Sequence, residues 1–241
     1  MTGVVFVTGA AGGIGSAVVE RFRRDGRTVV GVDRAPGAAV SHTLDVTDRE
    51  AVEATVSAVE RECGPIDILV NAAGILRVGD VLDSDPDDFT ALLAVNTVAV
   101  ATVSRAVAAR MTPRRRGAIV TVTSNAAGVP RAGMAAYGAS KAAAASFTTA
   151  LALELAPVGI RCNIVAPGTT RTPMLAETGH DVDAAVALAV SGDPARSKLG
   201  IPLGRVAEPL DIAEAVAFFA SDAARHITMQ QLYVDGGASL R

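Results

Sequence analysis

The stretch Thr8-Gly9-Ala10-Ala11-Gly12-Gly13-Ile14-Gly15 decides the fold of this chain. It joins the β-branched run 4–8, which predicts a strand, to the amphipathic pattern 14–25, which predicts a helix. Glycines at such a junction let the backbone turn tightly, and the helix N-terminus offers free N–H groups to an anion. The spacing differs from G-x-G-x-x-G, but its place between strand and helix is that of a dinucleotide-binding loop. We therefore predict that a dinucleotide contacts Gly9, Gly13, Ile14 and Gly15.

An acidic residue ends the second predicted strand. Asp33 follows Gly15 by 18 positions, close to the roughly 20 at which a carboxylate binds the adenosine ribose hydroxyls of NAD. Because a carboxylate repels a 2′-phosphate, Asp33 favours NAD over NADP. Arg34 argues the other way, since a guanidinium beside the ribose can accept a phosphate, although it can equally point to solvent. We predict NAD as the cofactor, with Asp33 and Arg34 beside its ribose.

Short β-branched runs alternate with longer helical patterns along most of the chain, as expected of a parallel sheet covered on both faces. The predicted strands are 4–8, 28–33, 41–45, 66–71, 118–123, 161–166 and 231–234. The predicted helices are 14–25, 48–62, 87–111, 137–155 and 210–221. No linker-like tract divides the 241 residues. The sequence predicts an α/β fold in which residues 1–241 form a single domain around a Rossmann-type, doubly wound parallel sheet of about seven strands.

Charge and composition exclude several classes of function. The 22 basic and 25 acidic residues give a net charge of −3, so nothing electrostatic favours binding to nucleic acid or to an anionic membrane. The uncharged stretch 89–104 is shorter than a membrane span and contains polar residues, so it predicts a buried helix. Cys63 and Cys162 are far apart in sequence, as expected of reduced thiols in a cytoplasmic protein, and the three histidines are isolated. We predict a cytoplasmic location and no metal site.

Tyr137 and Lys141 are one helical turn apart, on the same face of a predicted helix. Tyrosine has an unperturbed pKa of about 10, and a cation within a few ångströms lowers that pKa because it favours the phenolate. With Ser124 and Asn96 upstream, the pair predicts a base that works near neutral pH. The alternative is a core tyrosine, a surface lysine and a loop serine with no joint role.

Ordered motifs make the whole chain similar to the short-chain dehydrogenase/reductase family. The matching elements are the stretch 8–15, Asp45-Val46, Asn71-Ala72-Ala73-Gly74, Asn96, Ser124, Tyr137-Gly138-Ala139-Ser140-Lys141, Pro167-Gly168 and Val234-Asp235-Gly236-Gly237. The resemblance implies that Tyr137 is a general base and that Lys141 holds the nicotinamide ribose and lowers the tyrosine pKa. It also implies that Ser124 hydrogen-bonds the reacting oxygen and that Asn96 anchors a water. Further cofactor contacts that it implies are Asp45, Val46, Asn71, Ala72, Ala73, Gly74, Pro167, Gly168, Thr170 and Thr172.

Two predicted helices, 87–111 and 137–155, are apolar nearly all round. A helix that covers one face of a sheet needs only one apolar stripe, so the second apolar face favours burial by a partner subunit. The alternative is that the alanines merely reflect helix propensity. The family resemblance implies a homotetramer.

A narrower resemblance is to the subfamily that oxidises the C3 hydroxyl of 2,3-dihydro-2,3-dihydroxybenzoate, a cyclohexadiene carboxylate, on the way to siderophores. It rests on Met229 and on the blocks 69–77, 117–124, 129–131, 134–141, 159–163, 199–203 and 226–230. A carboxylate substrate needs a cation, and arginine suits a bidentate grip. Arg131 is the first candidate and Arg77 the second, with surface placement as the alternative for both. The predicted substrate contacts are Arg77, Ser124, Arg131, Met134 and Tyr137.

The match to that subfamily loosens between Thr169 and Lys198, where we predict a substrate lid at about 173–200. The subfamily usually has an acidic residue near Arg171, another at Pro173, a glutamine at Leu175 and a tryptophan a few residues later, and this chain has none of them at those positions. The amine-bearing substrate 2,3-dihydro-3-hydroxyanthranilate therefore stays open as an alternative. So do a generic 3-oxoacyl or sugar-alcohol reductase and a dinucleotide-binding protein without catalysis.

Overall fold

Seven parallel strands form one sheet in a computed structural model of the chain, which describes residues 3–178, 181–196 and 198–239. The sheet order is β3-β2-β1-β4-β5-β6-β7. The strands are β1 (Val4–Thr8), β2 (Val29–Asp33), β3 (His42–Thr43), β4 (Ile66–Asn71), β5 (Gly117–Val122), β6 (Ile160–Pro167) and β7 (Gln231–Val234). This confirms the predicted doubly wound α/β fold.

The order of the strands reverses around β1, which pairs with β2 on one side and with β4 on the other. Thr8 at the end of β1 is in register with Val32 and with Asn71. Because all strands are parallel, the loops that leave the carboxyl ends of β1, β2 and β4 meet at one edge of the sheet. Such a reversal leaves a crevice, which is where ligands bind in open α/β sheets.

Helices cover both faces of the sheet. They are α1 (Gly13–Arg24), α2 (Arg49–Cys63), α3 (Pro86–Leu93), α4 (Ala99–Arg114), α5 (Ala135–Leu155), α6 (Val182–Ser191) and α7 (Pro209–Ala220). The side chains of β1 alternate between the two layers. Val4 and Phe6 pack toward α2 and α4, whereas Val5 and Val7 pack toward α1 and α7. The apolar strands are therefore buried on both faces, as a parallel sheet requires.

Three elements differ from the prediction. The single helix predicted at 87–111 is α3 and α4 joined by a π-helical turn, Ala94–Val98, which a 3.6-residue period does not reveal. The strand predicted at 41–45 shrinks to two residues at the sheet edge, because only Val32 and Asp33 pair with it. Helix α6 was not predicted.

The continuous helix from α3 through α4 passes a length and hydropathy criterion for a membrane span. Half of its most apolar window is buried within the fold. Val103, Val107 and Met111 of α4 pack in the core beneath the sheet. The sheet that this helix covers therefore accounts for its apolar character.

Candidate active site

A cleft of about 700 Å³ opens at the carboxyl ends of the strands. Its walls come from the β5–α5 loop, the start of α5, and the segment between β6 and α7. Nine of the predicted site residues line it: Ile14, Ser124, Arg131, Met134, Tyr137, Pro167, Gly168, Thr170 and Thr172. The fold thus brings residues that are far apart in sequence to one opening.

Ser124 and Tyr137 face each other at the base of this cleft. Ser124 follows β5, and its Oγ accepts a hydrogen bond from the backbone N–H of Ala126 at 3.1 Å. Burial raises the pKa of Tyr137, and its hydrogen bond with Ser124 partly opposes that shift by lowering the pKa. A hydroxyl pair placed in this way can hydrogen-bond one substrate oxygen from two sides.

Lys141 lies one turn further along α5 and is buried. Its Nζ is 6.0 Å from the centre of the Tyr137 ring and donates a hydrogen bond to the backbone oxygen of Val122 at 3.3 Å. Burial lowers the pKa of Lys141 to about 8. Among the residues that the structure describes, no carboxylate forms an ion pair with this ammonium group.

The prediction that Lys141 lowers the pKa of Tyr137 does not hold for the protein by itself. The largest influence on each residue is burial, which disfavours the charged form of both, so the tyrosine pKa rises and the lysine pKa falls. Additional positive charge in the cleft is needed before the phenolate is favoured.

Asn96 sits in the π-helical turn and is fully buried. Its Nδ2 donates to the backbone oxygen of Ile75 and to Oγ of Ser140, both at 3.0 Å, and its Oδ1 accepts from the N–H of Ile75 at 3.0 Å. The extra residue of a π turn commonly marks a functional site. In this protein the π turn directs the side-chain amide of Asn96 inward, and the hydrogen bonds of that amide join the β4–α3 loop to α5.

Gly74 lies between Asn96 and Lys141. A Cβ at this position would come within 3.0 Å of Nζ of Lys141 and 3.1 Å of Oδ1 of Asn96. Any residue larger than glycine at position 74 would therefore displace the side chain of Lys141 or of Asn96.

We expect Gly74→Ala to lower kcat roughly 10- to 100-fold, because displacing a catalytic group by a fraction of an ångström disturbs the reacting geometry. The protein should still fold, since Nζ is the flexible end of a side chain. Gly79→Ala is the matched control, because its Cβ would meet Ser84 at an ordinary 3.5 Å. Equal activity of the two variants would contradict this prediction.

The glycine-rich loop forms a cradle beside the cleft. A Cβ on Gly9, whose φ is +71°, would lie 2.6 Å from the backbone of Ala73, and one on Gly13 would lie 2.6 Å from Cγ2 of Thr172. Oγ1 of Thr8 accepts the N–H groups of Ala72 and Ala73 at 3.1 and 3.2 Å. The loops after β1 and β4 are thereby held together, with Gly15 buried behind them at the start of α1.

The N-terminus of α1 faces this cradle without a side-chain cap. Its N-cap residue is Gly12, and no side chain accepts a hydrogen bond from the first turn. Free N–H groups at a helix N-terminus suit a pyrophosphate. The cradle therefore fits a dinucleotide.

Asp33 ends β2 beside the cradle. Its Oδ2 accepts the N–H of Ala11 and its Oδ1 accepts the N–H of Ala35, both at 3.0 Å. These two bonds fix the carboxylate and leave further lone pairs for ribose hydroxyls. Arg34 is exposed.

Asp45 is held within its own loop by Thr47. Its Oδ1 accepts from the N–H and Oγ1 of Thr47 at 2.9 and 2.7 Å. These two hydrogen bonds lower the pKa of Asp45, and the positive charge of Arg34 lowers it a little further. Arg34 is thus close enough for its charge to act on Asp45. Val46 is buried in the core, with its side chain packed beneath the sheet.

The two predicted carboxylate-binding arginines have different positions. Arg131 lines the cleft and is partly buried; burial lowers its pKa, and the negative charge of Asp235 partly opposes that shift. Arg77 is exposed and does not line the cleft, and its Nε lies 3.4 Å from Oδ1 of Asp88 in an ion pair. The structure therefore does not bring Arg77 to the site, because its side chain points out of a loop whose neighbouring residues point in.

Several residues that line the cleft were not predicted as individual contacts, although they fall within the lid predicted at about 173–200; among them are Leu175, Leu188, Asp193 and Lys198. They belong to the segment between β6 and α7, whose sequence match is loose. Lys198 carries a signal that was overlooked, since it and Lys141 are the only two lysines among the 22 basic residues of the sequence.

The family model described as enoyl-(acyl carrier protein) reductase matches residues 9–239 of the chain. The chain belongs to the short-chain dehydrogenase/reductase family. It is 45% identical over 251 residues, covering 98% of this chain and 96% of that one, to a 2,3-dihydro-2,3-dihydroxybenzoate dehydrogenase of Bacillus subtilis (strain 168). It is 43% identical over 242 residues, with 98% and 96% covered, to the protein of that name from Escherichia coli (strain K12).

A solved structure, that of the ligand-free aldohexose dehydrogenase of Thermoplasma acidophilum, superposes with a TM-score of 0.89 at 33% identity. It covers 99% of this chain and 94% of the other. As a member of the short-chain dehydrogenase/reductase family, the chain is an oxidoreductase that uses a nicotinamide dinucleotide.

Proposed function

We propose that this protein oxidises the C3 hydroxyl of 2,3-dihydro-2,3-dihydroxybenzoate with NAD and so forms 2,3-dihydroxybenzoate. The observation that carries the proposal is a single cleft holding the Ser124–Tyr137 hydroxyl pair and Arg131. The first two residues suit an alcohol oxygen and the third suits a carboxylate. The two dihydroxybenzoate-forming relatives at 45% and 43% identity support the same substrate.

Tyr137 acts as the general base. An alcohol can release hydride only as its O–H proton leaves, so a base must be within hydrogen-bond reach of that oxygen. The proton passes to Oη of Tyr137 while Ser124 donates a hydrogen bond to the same oxygen. When bound, the nicotinamide supplies the hydride acceptor. Lys141 holds the ribose hydroxyls, and Asn96 positions this lysine through the loop at Gly74. The ketone that forms from the substrate then tautomerises to an aromatic ring.

NAD rather than NADP is supported by Asp33. Its carboxylate is fixed by two backbone N–H groups and would repel a 2′-phosphate. Arg34 is the counter-argument, because an exposed guanidinium next to Asp33 is able to accept a 2′-phosphate, and the comparison of NAD with NADP below tests it. Ile14, Gly168, Thr170 and Thr172 line the cleft next to this cradle, where contacts to the rest of the dinucleotide are expected.

The function is tested by following NADH formation with the purified chain. We expect turnover of the dihydro acid with NAD and a kcat/KM at least about 10-fold lower with NADP. Parallel assays with 2,3-dihydro-3-hydroxyanthranilate, a 3-oxoacyl thioester and an aldohexose separate the alternatives. No turnover of either dihydro acid would overturn the proposal, and a preference for NADP would overturn the role of Asp33.

Arg131 binds the substrate carboxylate in this proposal. Arg131→Leu should lower kcat/KM for the dihydro acid roughly 10- to 100-fold, since a charge-assisted hydrogen bond contributes about 1.5–3 kcal/mol. The KM for NAD should stay the same. Arg77→Leu is the matched control, because it removes an exposed arginine outside the cleft. Unchanged kcat/KM in Arg131→Leu would remove this residue from the site.

The segment 173–200 acts as a lid in this proposal. Leu175 and Leu188 of that segment line the same cleft as Ser124 and Tyr137, so its displacement would open the site. Limited proteolysis with and without NADH and product tests this, because a lid that closes should become protected.

We also propose a cytoplasmic homotetramer. Val98 and Leu153 remain 59% and 66% exposed on the helix layer formed by α4 and α5, which suits burial by further subunits. Both cysteines are free thiols, in keeping with a reducing compartment. Light scattering should give about four times the 24.4 kDa chain mass, and a monomer would contradict it.

A further inference from the structure

Lys198 is the one lysine that the proposed reaction does not use. It lies after α6, where the segment between β6 and α7 returns to the cleft, and its side chain lines the cleft. Its backbone pairs with Asp193 through two hydrogen bonds of 2.8 and 2.9 Å. The residue before Asp193 is Gly192, with φ +78° and no room for a Cβ against Gly200. The tight turn holds Lys198 in place.

Lys198 and Arg131 are two cations that share one cleft. Burial lowers the pKa of Lys198, the positive charge of Arg131 lowers it further, and Asp193 partly opposes both effects. In the protein without ligand the two positive charges repel each other, so each one disfavours the charged form of the other. An anion between them would be stabilised by both.

The carboxylate behind Arg131 is already engaged. Oδ2 of Asp235 accepts hydrogen bonds from Asn125 at 3.2 Å and Ser239 at 2.5 Å, and its Oδ1 accepts the N–H of Gly237 at 3.0 Å. Asp235 is also buried. Asp193, which also lines the cleft, is the carboxylate that raises the pKa of Lys198, so an external anion there meets two positive groups and this one carboxylate.

We propose that Lys198 is a second substrate-binding cation, which holds the carboxylate of the substrate together with Arg131. Arg131 comes from the β5–α5 loop and Lys198 from the segment between β6 and α7. A carboxylate bound by both would fasten the two walls of the cleft to each other. The site would then select cyclohexadiene diols that carry an acid over neutral ones. This inference rests on the proposed function for the identity of the substrate.

Lys198→Met tests the proposal, because methionine keeps the apolar stem and removes the charge. We expect KM for the dihydro acid to rise roughly 10- to 100-fold, with little change for the neutral 5,6-dihydroxycyclohexa-1,3-diene. Lys198→Arg should keep most of the affinity. Arg24→Met, which removes an exposed charge at the far end of α1, is the control for net charge. An equal effect of Lys198→Met on acid and neutral diol would overturn the proposal.

A binding measurement separates this inference from the proposed function. With only two lysines in the chain, one of them deeply buried, trinitrobenzenesulfonate labelling of Lys198 can be followed by mass spectrometry. We expect 2,3-dihydroxybenzoate to protect Lys198 and catechol, which lacks the carboxylate, not to. Protection without turnover of the dihydro acid would retain the carboxylate site and refute the proposed reaction. Equal labelling with and without the acid would overturn the site itself.

Discussion

Tyr137→Phe is expected to lower kcat for alcohol oxidation by roughly 10³-fold. Removing the hydroxyl removes the only proton acceptor that we place at the reacting oxygen, and general base catalysis contributes about 10²- to 10⁴-fold. Phenylalanine keeps the ring packed at the start of α5, so the fold and NAD binding should persist. Turnover of the dihydro acid, followed as NADH formation, gives the measurement.

The chain offers a matched control in Tyr233, its only other tyrosine. Tyr233 lies in β7 and does not line the cleft, so Tyr233→Phe should retain kcat. Similar losses in the two variants would point to a structural effect and contradict the assignment of Tyr137 as the base.

The same residue sets the expected dependence on pH. Oxidation needs the phenolate, which is present above the pKa of Tyr137, so kcat/KM should rise with pH and fall as the base is protonated. Burial raises that pKa in the protein alone, and the positive nicotinamide with Lys141 acts in the opposite direction. Saturating NAD should therefore move the ascending limb of the profile to lower pH.

Lys141→Met is expected to abolish most activity and to stabilise the protein. Activity should fall at least about 100-fold, because the variant loses the ammonium group that we propose to hold the nicotinamide ribose and, together with the positive nicotinamide, to favour the phenolate. Stability should rise because a buried cation without a carboxylate partner is replaced by an apolar side chain of similar length.

The expected gain in stability of Lys141→Met follows from the pKa of Lys141. The pKa is about 8 in the folded protein against the ordinary 10.5 of an exposed lysine, so folding disfavours the proton. The penalty is fully present below pH 8 and disappears as pH rises from about 8 to 10.5. At pH 7 the difference between the two pKa values makes the variant more stable by roughly 3 kcal/mol, which corresponds to a Tm higher by roughly 6–12 °C.

Arg24→Met is the control for this stability effect, since Arg24 is exposed at the end of α1 and the Tm of this variant should change little. Melting curves of ligand-free protein between pH 7 and 10 give the test. Wild-type Tm should approach that of Lys141→Met as pH rises. A lower Tm for Lys141→Met at pH 7 would show that the lysine contributes packing or hydrogen bonds that outweigh its desolvation.

Strand and loop motifs were predictable because each depends on residues close together in sequence. The run 4–8, the glycines after it and Asp33 at the end of β2 obey local rules of strand period, turn geometry and helix start. The four catalytic candidates were also predictable from sequence, since Tyr137 and Lys141 are one helical turn apart. The π-helical turn could not be predicted, because its signal is one extra residue in an otherwise ordinary helix.

The sequence alone determined the fold class, and it predicted the place of the dinucleotide and the residues that can move a proton. Only the tertiary structure decided which cations line the cleft. Arg131 and Arg77 looked similar in sequence, yet one lines the cleft and the other pairs with Asp88 outside it. Lys198 lines the cleft although it lies just outside the matching block 199–203 and was not predicted as a contact. The physical reason is that long-range packing between the β5–α5 loop and the segment before α7 sets the direction of these side chains, and no local period records it.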